Sequence, residues 1–529
     1  MSKKIKSFFY HPYFIAFFLG ALLATTFAPL YFFPLAFVAF GGWFVLGNNC
    51  QNNKQSFLIG WYFGFGQFVF GLYWISISLF VDIARFFWLL PFSIFLIPAV
   101  LSVYVGLVLL LVNFIAKKFK IDGWKKILLL AVFWVLFEFL RSILFTGFPW
   151  NLLGYSFLFS LPLSQVASAI GVYGLSLIAV IFYSTPALFF KTRNEKIKFI
   201  FSKEHKIFAS LLSAIIALMW IGGCLRIGSF QEKFIPNATF RLVQPAIKQE
   251  EKWGLDYRYN SFLENINLSH KSGLENVNYV VWSESAVPYA LRPTSYGLLN
   301  DIASASPKNG FVITGGLKAE LEEDGQKLSK LWNTIFVIND QSKIVASYDK
   351  NHLVPFGEYV PFLEVLPFIS KITDGAVNFS EGSGLKTIKL GRNFPSFSPL
   401  VCYEAIFPDN IIDKNNPPQF LLNLTNDAWF GSSSGPYQHF DMVRMRSIEY
   451  GMPTVRVANS GISAMINPIG KTVIAIPLGT KGVVDVMLME KLPNTFYLKN
   501  GNVAVVLIAI LLLLIVFSFA LIARQKNFS

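Results

Sequence analysis

Eight apolar runs dominate this sequence: Pro12–Pro29, Tyr31–Leu46, Phe57–Leu79, Phe86–Ile115, Ile127–Phe145, Ser164–Phe190, Ile207–Leu225 and Asn502–Ala523. A helix that crosses the hydrocarbon core needs about 20 mostly apolar residues, and inside lipid every backbone N–H and C=O must find its partner within the protein. Runs of this kind predict a polytopic α-helical membrane bundle of about eight spans. Composition agrees: 54% of the 529 residues are hydrophobic, only 14% are charged, and the mean hydropathy is +0.50. Soluble domains carry about a quarter charged residues.

The start, with Lys3, Lys4 and Lys6 before an apolar run, has the outline of a signal peptide. Leu19–Pro29 offers no A-x-A cleavage site and further spans follow at once, so the first run is read as a retained helix. The net charge of +14 would suit a nucleic-acid binder, but its distribution excludes one. Ile227 to Gly501 holds 25 Lys and Arg against 26 Asp and Glu, while the membrane-rich remainder holds 20 against 5. The excess sits in short loops, where it sets topology. With the N-terminus inside, 17 of those 20 basic residues fall on the inner side, Arg85, Arg141 and Arg226 being the exceptions. Both termini are thus expected in the cytoplasm, and the segment between the seventh and eighth runs outside.

The fifth run carries Glu138 and Arg141, a pair at helical spacing that reads as a packing pair inside the bundle. After it, FTGFPWNLLGYS has Gly, Pro and Asn unsuited to a straight helix, and is expected to form an outer loop dipping into the bilayer edge.

Between the seventh and eighth runs the character changes. Short β-type runs recur (TFRLVQPAI, VNYVVWSESAV, GFVITGGL, WNTIFVIN, IVASYD, SPLVCYEAIF, FLLNLTN, TVRVANSG, GVVDVMLM), with helical patterns such as Tyr257–His270 and Gln438–Tyr450 between them. Alternating strands and helices over about 275 residues predict a layered α/β domain with its own core. The expected division is a membrane domain 1–226, an outer domain 227–501, and a last helix and short tail 502–529.

Three stretches of the outer domain carry chemistry. Cys402 is its one cysteine, since Cys50 and Cys224 lie in the membrane half, so no internal disulfide staples it. A cysteine nucleophile needs a base to form thiolate and a cation or N–H donor to hold the oxyanion of a tetrahedral intermediate. Glu284 follows the apolar strand VNYVVW and Lys350 ends IVASYD, positions from which both side chains reach a common pocket. Glutamate in partial burial is a competent base, and lysine a compact cation for a developing oxyanion. His270, His352 and His439 have no ligand spacing and read as surface or core histidines. No metal is expected, and without a P-loop or GxGxxG no nucleotide cofactor either.

WSES with Glu284, YDKNHLVPFGEYVP with Lys350 and Glu358, and VCYEAIFP with Cys402 resemble the Glu-Lys-Cys triad of the nitrilase (carbon–nitrogen hydrolase) superfamily. Eight spans around such a domain resemble, within it, the apolipoprotein N-acyltransferase family. So do FTGFPWNLLGY, VQPAIKQEEKW ending at Trp253, LWNTIFVI with Asn333, and NLTNDAWFGSSSGPYQH. One departure is Ser283, where the family usually has Pro. The resemblance implies an αββα sandwich for the outer domain and a ping-pong acyl transfer without cofactors. Cys402, activated by Glu284, would take an acyl chain from a phospholipid, typically phosphatidylethanolamine. The thioester would pass it to the α-amine of a diacylglyceryl-cysteine at an apolipoprotein's N-terminus. Lys350 would hold the oxyanions, with Glu358 orienting Lys350 or assisting proton transfer. The family also needs the equivalents of Tyr403 and Glu404, and Trp253, Asn333 and Trp429 are implied on the substrate side. A bacterial inner membrane with the domain facing the periplasm follows from the same resemblance.

Both substrates are lipids, so a catalyst tethered at both ends to the membrane avoids extracting them. The apolar run Phe356, Tyr359, Val360, Phe362, Leu363, Leu366, Pro367, Phe368 and Ile369 is read as a membrane-dipping lid, with Trp429 and Phe430 in a similar role. Two rivals stand beside this reading. A membrane-anchored amidase shares the triad but gives no reason for eight spans. A transporter or receptor with an outer ligand-binding domain predicts more charged or broken spans, and no dependence on Cys402.

Overall fold

The computed structural model describes residues 11–193, 196–249, 257–322, 327–361, 371, 373 and 377–525. They form two compact units. The first takes in the described residues of Met1–Ser76, Phe86–Ser229 and Thr495–Ser529, the second Ile77–Arg85 and those of Phe230–Asn494.

In the first unit each apolar run yields a helix: α1 (Pro12–Ala24), α2 (Pro34–Asn48), α3 (Asn53–Gly71), α4 (Ile97–Phe119), α5 (Gly123–Ile143), α6 (Ala167–Ser184), α7 (Lys203–Gly228) and a final helix Val503–Gln525. Among the described residues five helical stretches are long and apolar enough to cross a membrane: Phe92–Phe119, Gly123–Thr146, Ala167–Phe189, Lys203–Gly228 and Val503–Ile522. A sixth is reached if α3 is joined to Tyr73–Leu89 across a 47° bend. The expected eight therefore become five to six by length. Two of the missing spans are the first two runs, where α1 has 13 residues and α2 has 15, and the third is α3 when its bent continuation is not counted. Proline sets the limit: Pro34 occupies the first turn of α2, where its missing N–H costs nothing, and so fixes where that helix begins.

Glu138 and Arg141 are buried, and both also bond the loop that follows α5. Arg141 Nη1 donates to the carbonyls of Phe148 (2.6 Å) and Trp150 (2.9 Å). Glu138 Oε1 accepts from Leu153 N (2.7 Å) and from Trp134 Nε1 (2.9 Å). The loop's Gly, Pro and Asn prevent a helix, so its backbone groups need outside partners, and the two charges supply them. It then coils as a 3-10 turn, Leu153–Phe159, with Leu153 to Leu158 all buried.

The second unit is an αββα sandwich. Its strands are β1 (Phe234–Gln244), β2 (Tyr279–Val281), β3 (Phe311–Leu321), β4 (Leu328–Asn339), β5 (Ile344–Asp349), β6 (Phe397–Val401), β7 (Phe420–Thr425), β8 (Thr454–Ala458), β9 (Ser463–Ile466), β10 (Thr472–Ile476) and β11 (Gly482–Met489). One sheet has the order β11-β1-β2-β3-β4-β5, the other β10-β9-β8-β7-β6. β1, β2 and β3 pair in parallel, as do β6, β7 and β8, and the outer strands turn back antiparallel. β2, β6, β7 and β8 are buried at every residue, so they read as mostly apolar runs with the few polar side chains enclosed, while the edge strand β10 alternates.

Between the sheets lies a core that includes Phe240, Leu242, Tyr279, Val281, Ile335, Phe397, Phe420, Leu422 and Val457, with Phe240 stacked on Tyr279 at 4.4 Å. Helices α8 (Arg258–Ser269) and α9 (Tyr296–Ser304) cover the outer face of the larger sheet through Phe262, Leu299 and Ile302. On the smaller sheet lies α10 (Ser434–Tyr450), its N-cap Ser433 accepting from Gly435 N and its end set by Gly451 at φ +64°. Ser447 of α10 bonds Thr454 of β8 (2.7 Å).

Candidate active site

Strand direction gathers the three reactive side chains. β5 is antiparallel to β4 and β4 to β3, so β5 runs the same way as β2 and their carboxyl ends share one edge. Glu284 lies three residues beyond the end of β2 and Lys350 directly after β5. Cys402 directly follows β6 in the other sheet. Gly315 of β3 lets the Glu284 segment pass close by, since a Cβ there would stand 2.6 Å from Glu284 Cα and 2.5 Å from Ser285 N. Ser283, the departure from the superfamily pattern, is fully buried just before the glutamate.

Asn333, on β4, joins the two carboxylates. Its Nδ2 donates to Glu284 Oε1 (2.8 Å) and to Glu358 Oε1 (3.1 Å), and its carbonyl accepts from Lys350 N (2.8 Å). Glu358 holds Lys350 Nζ between its oxygens, at 3.0 Å from Oε1 and 2.9 Å from Oε2, and Oε2 also accepts from Val354 N (2.8 Å). Lys350 is 1% exposed. Burial works against its charge, but the carboxylates of Glu358 and Glu284 more than offset that and hold it protonated above the usual lysine range.

Cys402 opens a 3-10 turn, Cys402–Ile406, at φ +48°, a left-handed conformation that a side chain other than glycine adopts at a cost. Burial pushes its thiol well above the ordinary value, Glu284 adds to the rise, and the Lys350 ammonium pulls the other way. The resting thiol is therefore protonated and needs a base.

Glu404 binds this elbow to the lysine loop. Oε2 accepts from Val401 N (2.7 Å), while Oε1 accepts from Tyr348 Oη (2.8 Å), Asn351 N (2.8 Å) and His352 N (3.1 Å). One carboxylate thus spans the residue before the nucleophile and the residues after the cation. Tyr403, buried, packs edge-on against Phe407 (5.2 Å), which His352 also contacts (3.9 Å).

Of the nine predicted site residues, Glu284, Asn333, Lys350 and Glu358 form one hydrogen-bonded group, Cys402 lies within the electrostatic influence of Glu284 and Lys350, Glu404 ties the Cys402 turn to the residues after Lys350, and Tyr403 adjoins it. Trp429 lies half-buried on the 3-10 turn Asp427–Phe430. Trp253 lies outside the described residues. Of the lid run, Phe356 is exposed, Tyr359 half-buried and Val360 buried; Phe362, Leu363, Leu366, Pro367, Phe368 and Ile369 lie outside the described residues.

The sequence reading missed a second polar group, behind the elbow. Asp427 Oδ2 accepts from Arg456 Nη2 (2.6 Å), Asp427 Oδ1 accepts from Thr425 Oγ1 (2.9 Å), and Arg456 Nη1 donates to Asn423 Oδ1. His439, completely buried, sits with Nδ1 3.0 Å from Asp427 Oδ1 and Nε2 3.2 Å from the Cys402 carbonyl. Asn423, Thr425 and Arg456 interrupting apolar strands were the available signal, because polar residues in buried strands need partners.

A cysteine hydrolase-type domain carried by a bundle of apolar helices is the class that fold and site define, and comparison with known proteins agrees. Residues 239–490 match the carbon–nitrogen hydrolase family, and residues 19–185 match the apolipoprotein N-acyltransferase N-terminal domain. The chain is 37% identical over 511 residues to the apolipoprotein N-acyltransferase of Rickettsia typhi, covering 96% of this chain and 98% of that one. It is 34% identical over 516 residues to that of Rhodopseudomonas palustris, covering 95% and 94%. Among solved structures it is similar to an amidase from Nesterenkonia sp., at 15% identity and a TM-score of 0.35, over 51% of this chain and 97% of that one. The chain belongs to the apolipoprotein N-acyltransferase family. It is an acyltransferase and a membrane protein.

Proposed function

We propose that this enzyme N-acylates the amino-terminal diacylglyceryl-cysteine of apolipoproteins, drawing the acyl group from a phospholipid through a thioester on Cys402. The observation that carries the reading is the setting of Cys402. In a chain alike from end to end to enzymes named for this reaction, the catalytic unit's one cysteine stands at a strand-end elbow under the influence of Glu284 and Lys350.

The arrangement of these residues supports the following steps. Glu284 takes the thiol proton as Sγ attacks the ester carbonyl of the phospholipid, and the oxyanion that forms is stabilised by the Lys350 ammonium. Collapse breaks the ester C–O bond, and the leaving lysophospholipid oxygen takes the proton from Glu284. In the second half the neutral α-amine of the acceptor attacks the thioester, Glu284 accepts the amine proton, and as the C–S bond breaks Glu284 passes that proton to the departing sulfur, returning the thiol and the free carboxylate. Glu358 and Asn333 keep Lys350 and Glu284 in place, Glu404 fixes the elbow against the lysine loop, and Tyr403 supports it. Trp253 and Trp429 serve the substrate side.

Phosphatidylethanolamine is the donor we propose, in the outer leaflet of a bacterial inner membrane. The catalytic domain, 227–501, would face the periplasm between a membrane domain, 1–226, and a last helix from 502, with both termini cytoplasmic. The positive charge of the predicted inner loops supports this orientation.

Intact mass after incubation with phosphatidylethanolamine tests the first half-reaction. Wild type should gain a hydroxylamine-sensitive acyl adduct that Cys402→Ser lacks. Wild type without an adduct, phospholipid being present, would favour the amidase.

A further inference from the structure

We propose that His439 is a positioning residue for acyl transfer: its Nε2–H holds the carbonyl of the nucleophile Cys402 and so fixes the elbow from behind. The inference rests on Cys402 being the nucleophile and adds a residue outside the Glu284–Lys350–Glu358 group.

A carbonyl oxygen only accepts, so the 3.2 Å contact between His439 Nε2 and Cys402 O requires the proton on Nε2. The other ring nitrogen faces two groups, Asp427 Oδ1 at 3.0 Å and Arg456 Nη2 at 3.3 Å. Asp427 and Arg456 already neutralise each other at 2.6 Å, both completely buried, so a charged imidazole would add a buried charge with no counterpart. Burial and the neighbouring guanidinium accordingly hold His439 below the usual histidine range. Nδ1 stands between an acceptor, Asp427 Oδ1, and a donor, Arg456 Nη2, while the Cys402 carbonyl fixes a proton on Nε2. Arg456 is held in turn by Asp427 and Asn423, and Asp427 by Thr425. The chain from β7 and β8 through α10 ends in one donor aimed at one carbonyl.

That carbonyl belongs to the residue whose backbone most needs holding. At φ +48° Cys402 relaxes toward the extended region unless the peptides on both sides are gripped. Glu404 grips the preceding one through Val401 N, and His439 the following one through Cys402 O. The peptide is planar and trans, so anchoring its oxygen also aims the Tyr403 N–H away from His439. Sγ and that N–H are placed together.

The test compares His439→Gln, whose amide N–H reaches the Nε2 position, with His439→Leu, which has no donor. Thioester formation from phosphatidylethanolamine is followed by intact mass across lipid concentrations, with the melting temperature of each full-length protein in detergent. Wild type must form the adduct, and its failure would count against the thioester reading instead. Given that adduct, His439→Leu should lower the maximal acylation rate about ten- to a hundredfold with the half-saturating lipid concentration unchanged, as displaced reacting groups do. His439→Gln should recover to within about threefold of wild type, a small fraction of that span. A wild-type rate in His439→Leu overturns the proposal, and so does a folded His439→Gln as slow as the leucine variant. If only the leucine variant fails to fold, the glutamine variant decides alone. If neither folds, His439 is a core residue and the proposal falls.

Discussion

At the scale of single residues, burial decides what each reactive group can do unaided. Because burial and Glu284 raise the Cys402 pKa, the folded protein favours the neutral thiol. The unfolded chain ionises first as pH climbs past the ordinary thiol value of about 8.5, so this contribution to stability is complete below that pH and is lost above it. With Cys50 and Cys224 replaced by serine, alkylation of Cys402 by iodoacetamide should stay far below that of a free thiol from about pH 7 to 9, with no inflection near 8.5. An inflection there would show that burial does not control the thiol. Lys350 and Glu358 make the complementary case. Glu358→Gln keeps the shape and removes the charge, leaving a buried ammonium short of its nearest counter-ion. Breaking such a pair costs about 3–5 kcal/mol, so the melting temperature should drop along with thioester formation. A variant that melts like wild type would mean that Glu284 alone suffices to hold the cation.

At the scale of elements, legibility followed the length and continuity of apolar runs. All nine β-type runs read from the sequence became strands, because buried strands leave a mostly apolar, β-branched signature. The hairpin of β9 and β10 escaped notice, being four and five residues long. Its turn was nonetheless written in Asn467-Pro468-Ile469-Gly470, where Gly470 adopts φ +78° and Asn467 N donates to Lys471 O. Glu284, Lys350 and Cys402 were legible because strand ends and their flanking motifs are local. Asp427, His439 and Arg456 were not, since they meet only when β7, β8 and α10 pack together. Glu138 and Arg141 were seen, but their partners in the loop after α5 were not, for that loop has no periodicity to read. Arg141→Leu would strip the Phe148 and Trp150 carbonyls of their donor, at about 1–3 kcal/mol for each group left unsatisfied. A lower melting temperature and early proteolysis within 144–160 are the expected outcome. Unchanged protection of that segment would show that its apolar burial holds it without the arginine.

At the scale of the whole molecule, the +14 charge is a statement about orientation rather than about a polyanionic partner. Alkaline phosphatase, active only when exported, should be inactive when fused after Lys120 and active when fused after Lys308. The reverse pattern would invert the orientation proposed here.

The proposed base and cation hang from one sheet and the nucleophile from the other, so the spacing of the reaction is a property of the hydrocarbon between the layers. Phe240, Tyr279, Phe397 and Phe420 act as a gauge block whose thickness is transmitted to Sγ. Trimming one of these rings would change the enzyme's calibration before it changed its shape. Turnover would then report sub-ångström slippage between two sheets that a melting curve averages away.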